Sequence, residues 1–371
     1  MSVMRKPPRP DYFNFDKALV ARLADEFRLG DDIAFRPILL DGAACSLIDV
    51  RSATSRKMVL RAGGADLFLK QIPWYCDDAQ HIRFTQTFQD AAGAAGLPVP
   101  HLLRTQDGHG WLEIADAKYT MTRYVPGHRF AYRKAQAIAA AAELARLHRI
   151  GPTVETHRQY AGSAHAGDAF RDAAEHVELA REIARERADD QALAALEGLE
   201  QCATTAREAA AGWESLPGGF VHGDFAPWNL VFAEAPDRSP ARVGAIVDFD
   251  NAHWGVLIRD LAEAVITFGW VAYDGDSSSF AGHLPGAAQP FVAAMRDAYE
   301  TVRPLGGPEA ACLPHAAVAV GVEILGLGYL RGDYDAGVLA DGRRWLAAVS
   351  ASLVPEASQE SLTGMHRKAA V

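Results

Sequence analysis

The chain has 371 residues, of which 49% are hydrophobic and 23% are charged, which is the balance of a soluble globular protein with a substantial buried core. Its net charge of −10, from 47 acidic and 37 basic residues, argues against general nucleic-acid binding, which requires a basic surface. The four scattered cysteines show no zinc-site spacing and suit a reducing compartment, so we expect a cytoplasmic protein.

The first 125 residues are predicted to form a short helix followed by a strand-rich region. Residues 14–29 place Leu19, Leu23 and Phe27 four apart, which is the spacing of one helix face. Short apolar runs separated by Gly-containing turns then predict strands, including a pair joined at Gly63-Gly64. The predicted strands are 35–40, 47–50, 58–60, 67–70, 111–115 and 118–124, with a helix at 78–95.

Residues beyond about 130 are predicted to be mainly helical, with one strand–loop–strand block at 219–250. Strands first and helices later predict an α+β architecture with two lobes. The predicted parts are an N-terminal extension with a helix, a nucleotide-binding N-lobe, a helical C-lobe and a flexible tail, at 1–34, 35–125, 126–355 and 356–371. We expect no membrane span, because the most apolar stretch, near 316–330, is short and contains Glu323.

The most specific pattern is FVHGDFAPWNLVF at 220–232, followed by VGAIVDFDNAHWG. Asp224 follows an apolar strand, and Asn229 lies five residues on, the spacing of the catalytic Asp and metal-binding Asn in kinase catalytic loops. A further predicted strand delivers Asp248 at its end, so that Asn229 and Asp248 can place two oxygens on one cation. Each residue alone is also typical of a turn cap, and only the combination is specific.

The runs HGDFAPWN, IVDFD and RDLA are very similar to the aminoglycoside phosphotransferase and choline kinase-like superfamily, whose members share the protein-kinase fold. The resemblance covers roughly residues 35–350 and implies a small strand-rich N-lobe and a larger helical C-lobe. It implies ATP and Mg²⁺ as cofactors, with Asp224 as the catalytic base. It also implies that Asn229 and Asp248 hold the metal, and that Asp260 braces the catalytic loop.

Candidate nucleotide-binding residues come from the strand-rich region. Only seven of the 37 basic residues are Lys, yet Lys70 ends an apolar strand, and a compact ammonium suits phosphate. Gly42 and Ser46 lie in a small-residue segment whose backbone and hydroxyl can approach a phosphate, although an ordinary hairpin turn explains it equally well. Met121 and Arg123 are candidates for the adenine-binding hinge, with a core strand as the alternative.

One position departs from the superfamily pattern. A Glu on the helix after the lysine strand usually pairs with that lysine, but helix 78–95 contains no Glu. Gln86 lies at about the corresponding place, and Asp90 is the only carboxylate beyond the first turn. Either Asp90 substitutes, or Lys70 is held by the nucleotide alone.

The phosphate acceptor and the oligomeric state are left open by the sequence. The resemblance implies a hydroxyl on a small molecule such as an aminoglycoside, choline or homoserine. A Ser or Thr hydroxyl of a peptide is an alternative, because FLKQIPWY and VDFD resemble segments of spore-coat-type and peptide-modifying relatives. A nucleotide-binding pseudokinase that serves as a partner-binding module is a further alternative, which the missing helix Glu favours slightly and the intact set of Asp224, Asn229 and Asp248 strongly disfavours.

Overall fold

The computed structural model describes residues 17–30, 33–36, 38–40, 43–45, 57–114, 116–150, 168–233, 240–270 and 289–354. Strands dominate its N-terminal part and helices its C-terminal part, which confirms the predicted α+β, protein-kinase-like class. The elements are α1 (Lys17–Glu26), β1 (Ile33–Arg36), β2 (Ile38–Leu40), β3 (Ala43–Cys45), β4 (Lys57–Ala62), β5 (Ala65–Gln71), α2 (Ala79–Ala94), β6 (Trp111–Ile114), β7 (Ala117–Arg123), α3 (Lys134–His148), α4 (Ala169–Glu186), α5 (Asp190–Ala209), β8 (Gly218–Val221), β9 (Leu230–Phe232), β10 (Val243–Ile246), β11 (His253–Val256), α6 (Ile258–Trp270), α7 (Gln289–Val302), α8 (Gly307–Arg331) and α9 (Ala336–Leu353).

Five of the strands form one antiparallel sheet in the order β1-β4-β5-β7-β6. Strands β4 and β5 are joined by Gly63 and Gly64, whose φ angles of 53° and 79° suit a two-residue hairpin turn. Alternate strand residues and α1 bury one apolar cluster; its members are Leu23, Phe27, Met58, Leu60, Ala62, Leu67, Leu69, Tyr119 and Met121. The predicted strand 35–40 is divided between β1 and β2, and the predicted strand 47–50 lies outside the described residues.

Helix α2 follows the lysine strand as predicted. Asp78 caps its first turn by accepting hydrogen bonds from the backbone N–H groups of Gln80 and His81. The helix ends before Gly96, which has a φ of 78°. Its buried face carries His81 and Phe88, and Phe88 packs edge-on against Phe249.

The chain divides into two compact units, and each is discontinuous in sequence. The first comprises Met1–Ala139, Arg149–Ala166 and His222–Trp254. It therefore contains the five-stranded sheet together with the whole segment from His222 to Trp254, which the sequence had assigned to the helical lobe. All the candidate site residues that the structure describes belong to this first unit.

The second unit is built around α8, which packs against α4, α6 and α9. A side-chain carbon at Gly321 would overlap Leu346, and one at Gly328 would overlap Tyr334, so these glycines allow close packing. Helix α8 is long and apolar enough to cross a membrane, but 61% of its most apolar window is buried inside the protein. A helix in the core of a folded protein can have the same length and the same apolar composition as a membrane-spanning helix.

A buried polar chain crosses the second unit from Asp260 to Glu309. His148 Nε2 donates to Asp260 Oδ2 at 3.2 Å, while His148 Nδ1 lies 2.7 Å from the Tyr299 hydroxyl. Arg303 donates both to that hydroxyl and to Glu309. This arrangement suits a neutral imidazole that donates on one side and accepts on the other.

The charge state of His148 gives a testable dependence of stability on pH. Burial lowers the pKa of His148, and the neighbouring Asp260 does not compensate fully. The unfolded chain therefore binds this proton more tightly, so the stabilisation is complete above about pH 6.5 and is lost as the pH falls below that value. In urea unfolding between pH 5 and 7.5, His148→Gln should flatten the slope by up to about 1.4 kcal/mol per pH unit. The exposed His101→Gln is the control, and equal slopes in all three proteins would contradict the neutral assignment.

Candidate active site

The loop after β8 carries the first of the predicted catalytic residues. Gly223 has a φ of 75°, and a side-chain carbon there would overlap the Asn251 carbonyl oxygen, so only glycine fits at this approach. Asp224 follows, and its backbone carbonyl accepts a hydrogen bond from Asn229 Nδ2 at 2.9 Å. This bond fixes the amide of Asn229, which is only 5% exposed, against the Asp224 backbone.

Strands β9 and β10 bring Asn229 next to Asp248. Leu230 pairs with Ile246, and the Val247 N–H donates to the Asn229 carbonyl at 3.0 Å. Asp248 then adopts a left-handed conformation, with φ 69° and ψ 60°, which is uncommon for a residue with a side chain and typical of functional positions. The two predicted metal ligands thus lie at adjoining ends of two paired strands.

Lys70 on β5 contacts two carboxylates of the same segment. Its Nζ lies 2.5 Å from Asp248 Oδ1 and 2.6 Å from Asp250 Oδ2. A second lysine, Lys57 on β4, places its Nζ 3.7 Å from Asp248 Oδ2. Both lysine side chains are buried, whereas the Asp248 side chain is 24% exposed.

Burial and the neighbouring opposite charges compete in setting the pKa values of these three groups. Burial alone would raise the pKa of Asp248, but Lys70 and Lys57 outweigh it, so this pKa lies well below its usual range. Burial alone would lower the pKa of Lys70, but Asp248 and Asp250 raise it above the usual value. Burial lowers the pKa of Lys57, because Asp248 compensates only in part.

The pKa of Asp224 is raised. Burial is the largest cause, and the nearby negative charge of Asp248 adds to it. His222 and the side-chain hydrogen bonds of Asn229 and Trp228 oppose the shift without cancelling it. A carboxylate with a raised pKa is a stronger base, which suits a group that must accept a proton.

The partner of Lys70 differs from both sequence-based alternatives. Gln86 makes no hydrogen bond to Lys70: its Nε2 donates to the Gly110 carbonyl at 2.9 Å, and its Oε1 is buried without a hydrogen-bond partner among the described residues. Asp90 forms an ion pair with Arg104 on the surface. Lys70 is therefore held by Asp248 and Asp250, and the expectation that Asp90 substitutes for the helix Glu is wrong.

The structure shows where the two hinge candidates, Met121 and Arg123, lie. Both lie on β7, an inner strand that pairs with β5 on one side. On the other side, the Met121 carbonyl accepts from Leu103 N–H and the Arg123 N–H donates to the His101 carbonyl, each at 2.8 Å. The Met121 carbonyl and the Arg123 N–H therefore already have partners, and the Met121 side chain is fully buried in the core. The roles of Met121 and Arg123 in adenine binding stay predictions.

Two predicted site residues lie outside the described residues, and two residues observed at the site were not predicted. Gly42 and Ser46 lie outside the described residues, so their predicted contact with phosphate stays a prediction. Asp250 and Lys57 were missed by the sequence analysis. The sequence signal for Asp250 was its position two residues after Asp248. In the structure, helix α2 fixes this segment through a 2.6 Å hydrogen bond from His81 Nε2 to the Asp250 carbonyl.

Gly223 provides a test of the close approach between the catalytic loop and the Asn251 segment. Gly223→Ala should destabilise the fold by about 1–3 kcal/mol, since alanine meets both a strained φ and the Asn251 carbonyl. Gly64→Ala is the matched control, because Gly64 has a φ of 79° but no atom within 4 Å of an added side-chain carbon. Urea unfolding of both variants separates the two contributions, and equal losses would show that the contact is unimportant.

Comparisons with known proteins place the chain in a family. Residues 48–305, more than half of the chain, match the model of the phosphotransferase enzyme family. No curated protein matches the chain significantly in sequence.

Solved structures with the same fold include an amicoumacin kinase in complex with AMP-PNP, Ca²⁺ and Ami, with a TM-score of 0.58 and 12% identity over 92% of this chain and 96% of that chain. An aminoglycoside phosphotransferase from Alicyclobacillus acidocaldarius gives a TM-score of 0.54 and 14% identity over 88% and 98% of the two chains. A microcompartment-associated aminopropanol kinase gives 0.51 and 16% over 90% and 95%. The protein therefore belongs to the phosphotransferase enzyme family.

Proposed function

We propose that the protein transfers the γ-phosphoryl group of ATP to a hydroxyl group of a small molecule, with Mg²⁺ as the metal cofactor. The observation that carries this proposal is the cluster formed by Asp224, Asn229, Asp248 and Lys70 within one compact unit. Phosphoryl transfer to a hydroxyl requires a base, oxygen ligands for a metal ion and a cationic side chain that binds phosphate.

The structural relatives support this choice of substrates. The amicoumacin kinase structure contains AMP-PNP and Ca²⁺, and a spectinomycin phosphotransferase structure contains ADP and spectinomycin. Another relative is described as an aminopropanol kinase. These small acceptors favour a small molecule over a peptide as the first acceptor class to test.

The donor set fits magnesium in its chemistry. Asp248 offers an ionised, partly exposed carboxylate, and Asn229 offers an amide oxygen. Mg²⁺ prefers such hard oxygens and usually takes only one or two carboxylates, completing its shell with water and phosphate. Among the residues that the structure describes, no group of three or more His, Cys, Asp or Glu side chains could hold a metal, and the proposed site accordingly uses one carboxylate and one amide oxygen.

The chain's own residues account for the reaction as follows. Asp224 orients the acceptor hydroxyl and accepts its proton as the hydroxyl oxygen attacks the γ-phosphorus. The bond from that phosphorus to the β–γ bridging oxygen breaks, which leaves ADP and a phosphate ester, and Asp224 then returns the proton to solvent. Lys70 binds the phosphate chain through its ammonium group. Bound magnesium supplies neutralisation of the negative charge on the phosphate oxygens.

The proposal is tested by measuring ADP release from ATP, and separately GDP release from GTP, with a panel of acceptors. The panel comprises aminoglycosides, aminopropanol, choline, homoserine and a Ser/Thr-containing peptide. We expect acceptor-stimulated release with at least one small molecule, and its loss in Asp224→Asn. Stimulation by the peptide alone would replace the small-molecule acceptor by a peptide, and nucleotide binding without turnover of any acceptor would favour the pseudokinase.

A further inference from the structure

We propose that Lys57 is a second phosphate-binding lysine, which acts beside Lys70 on the nucleotide. This inference rests on the proposed function, since it assigns one more residue to the same phosphate site. Neither the sequence pattern of the catalytic segment nor the family resemblance assigns a role to Lys57.

The strand register places the two lysines side by side. Lys57 is paired with Lys70 across β4 and β5, at the end of the hairpin opposite the Gly63-Gly64 turn. Directly opposite residues of an antiparallel pair project from the same face of the sheet, with their Cβ atoms about 5 Å apart. Lys57 therefore points toward the same side as the predicted phosphate ligand.

Both ammonium groups converge on one carboxylate from two directions. Lys70 Nζ contacts Asp248 Oδ1, and Lys57 Nζ lies 3.7 Å from Asp248 Oδ2. The Lys57 side chain is only 4% exposed, so its charge is removed from water. Like charges directly opposite in a sheet are unfavourable, and a buried ammonium group is costly, so such a pair requires anions nearby.

The available anions change when Asp248 acts as a metal ligand. In the structure, the positive charges of Lys57 and Lys70 are balanced by Asp248 and Asp250. A carboxylate that ligates a divalent cation gives up most of its attraction for a neighbouring ammonium group. Lys57 has no other ion pair among the described residues, and the phosphate chain of a nucleotide is the anion that the proposed reaction brings to this position.

A purely structural role for Lys57 makes a different prediction. If Lys57 only balances the charge of Asp248, its removal acts through that carboxylate and has no effect on metal-free ATP binding once Asp248 is replaced by Asn. If Lys57 binds phosphate directly, its removal weakens ATP binding with or without metal. Binding measured in EDTA, with Asp248 present and in an Asp248→Asn background, therefore separates the two roles.

The experiment measures the affinities for ATP and for adenosine by calorimetry, in Mg²⁺ and in EDTA, without any acceptor. We expect Lys57→Met to bind ATP about ten- to a hundredfold more weakly in both conditions, which corresponds to one charge-assisted contact. Adenosine affinity should not change, and Lys57→Arg should recover part of the loss. Arg61→Met is the matched control, because Arg61 lies on the same strand but pairs with Asp66 at the surface.

The outcomes separate this inference from the proposed function. Unchanged ATP affinity of Lys57→Met in EDTA, in the Asp248→Asn background, overturns the phosphate-binding role, even if affinity falls in Mg²⁺. If the unmodified protein binds ATP no more tightly than adenosine, the proposed function itself fails. Thermal unfolding verifies that the variant is folded, and Lys57→Gln replaces it in the same comparison if Lys57→Met does not fold.

Discussion

Asp224→Asn should lower the rate of phosphotransfer by about 10²- to 10⁴-fold, the usual contribution of a general base, while nucleotide affinity stays nearly unchanged. Asparagine keeps the size of the side chain and its hydrogen bonding to the loop, but it cannot accept the hydroxyl proton. The raised pKa of Asp224 makes the native carboxylate a good base, so its loss is felt at the chemical step. Steady-state ADP release gives kcat, and calorimetry with ATP gives the affinity.

The control for this variant is Asp66→Asn, an equally conservative change at a carboxylate on β5 that is 38% exposed and pairs with Arg61. It should leave both quantities unaltered. A fall in ATP affinity that matches the fall in kcat would show that Asp224 holds the nucleotide complex together and does not serve as the base. An unaltered kcat in Asp224→Asn would remove the residue from the mechanism.

Lys70→Met should destabilise the fold by about 3–5 kcal/mol at neutral pH, because it leaves two partly buried carboxylates with much weaker compensation. Asp248 and Asp250 are 24% and 18% exposed, and both contact Lys70 Nζ within 2.6 Å. The same change should remove nucleotide-dependent activity. Urea unfolding at pH 7 measures the loss in the free energy of unfolding.

Lys118→Met is the comparison for this variant, since Lys118 on β7 pairs with a largely exposed Glu113 at 3.8 Å. Such a surface pair contributes about 0–1 kcal/mol. The loss caused by Lys70→Met should shrink on acidification, because the pKa of Asp248 is held low by the lysine and rises once that lysine is gone. A destabilisation no larger than that of Lys118→Met would show that the carboxylates find other partners.

The arrangement of the catalytic segment could be predicted because it is local in sequence. Asn229 and Asp248 lie at the two ends of one short strand–turn–strand unit, so their proximity follows from the pairing of β9 with β10. The apolar run before Lys70 predicted its strand for a similar reason. The roles of these residues stay predictions that the experiments above address.

The position of Lys57 was also accessible from the sequence, although it was missed. Two-residue turns fix the register of a hairpin, so that counting outward from Gly63 and Gly64 pairs Lys57 with Lys70. The alternation of apolar and polar residues alone does not reveal this pairing, because a lysine at the end of a strand is usually a solvent-exposed surface residue.

The remaining contacts depend on tertiary placement that local patterns do not encode. Gln86 faces Gly110 because of the rotation of α2 about its axis, which no helical period specifies to within one residue. Met121 is a strand residue in either interpretation, and its hydrogen bond to Leu103 joins two segments whose contact the local sequence pattern does not encode. The pairing of Lys70 with Asp250 joins residues that are far apart in the chain.

The close packing around α8 has a consequence for how the second unit is made. Each interior glycine weakens an isolated helix by about 1 kcal/mol relative to alanine, so α8 depends on its neighbours to stay helical. One of those neighbours, Leu346 on α9, is synthesised after α8 has been completed. A chain truncated before α9 would lack this packing partner, and we expect it to present the apolar helix α8 to chaperones.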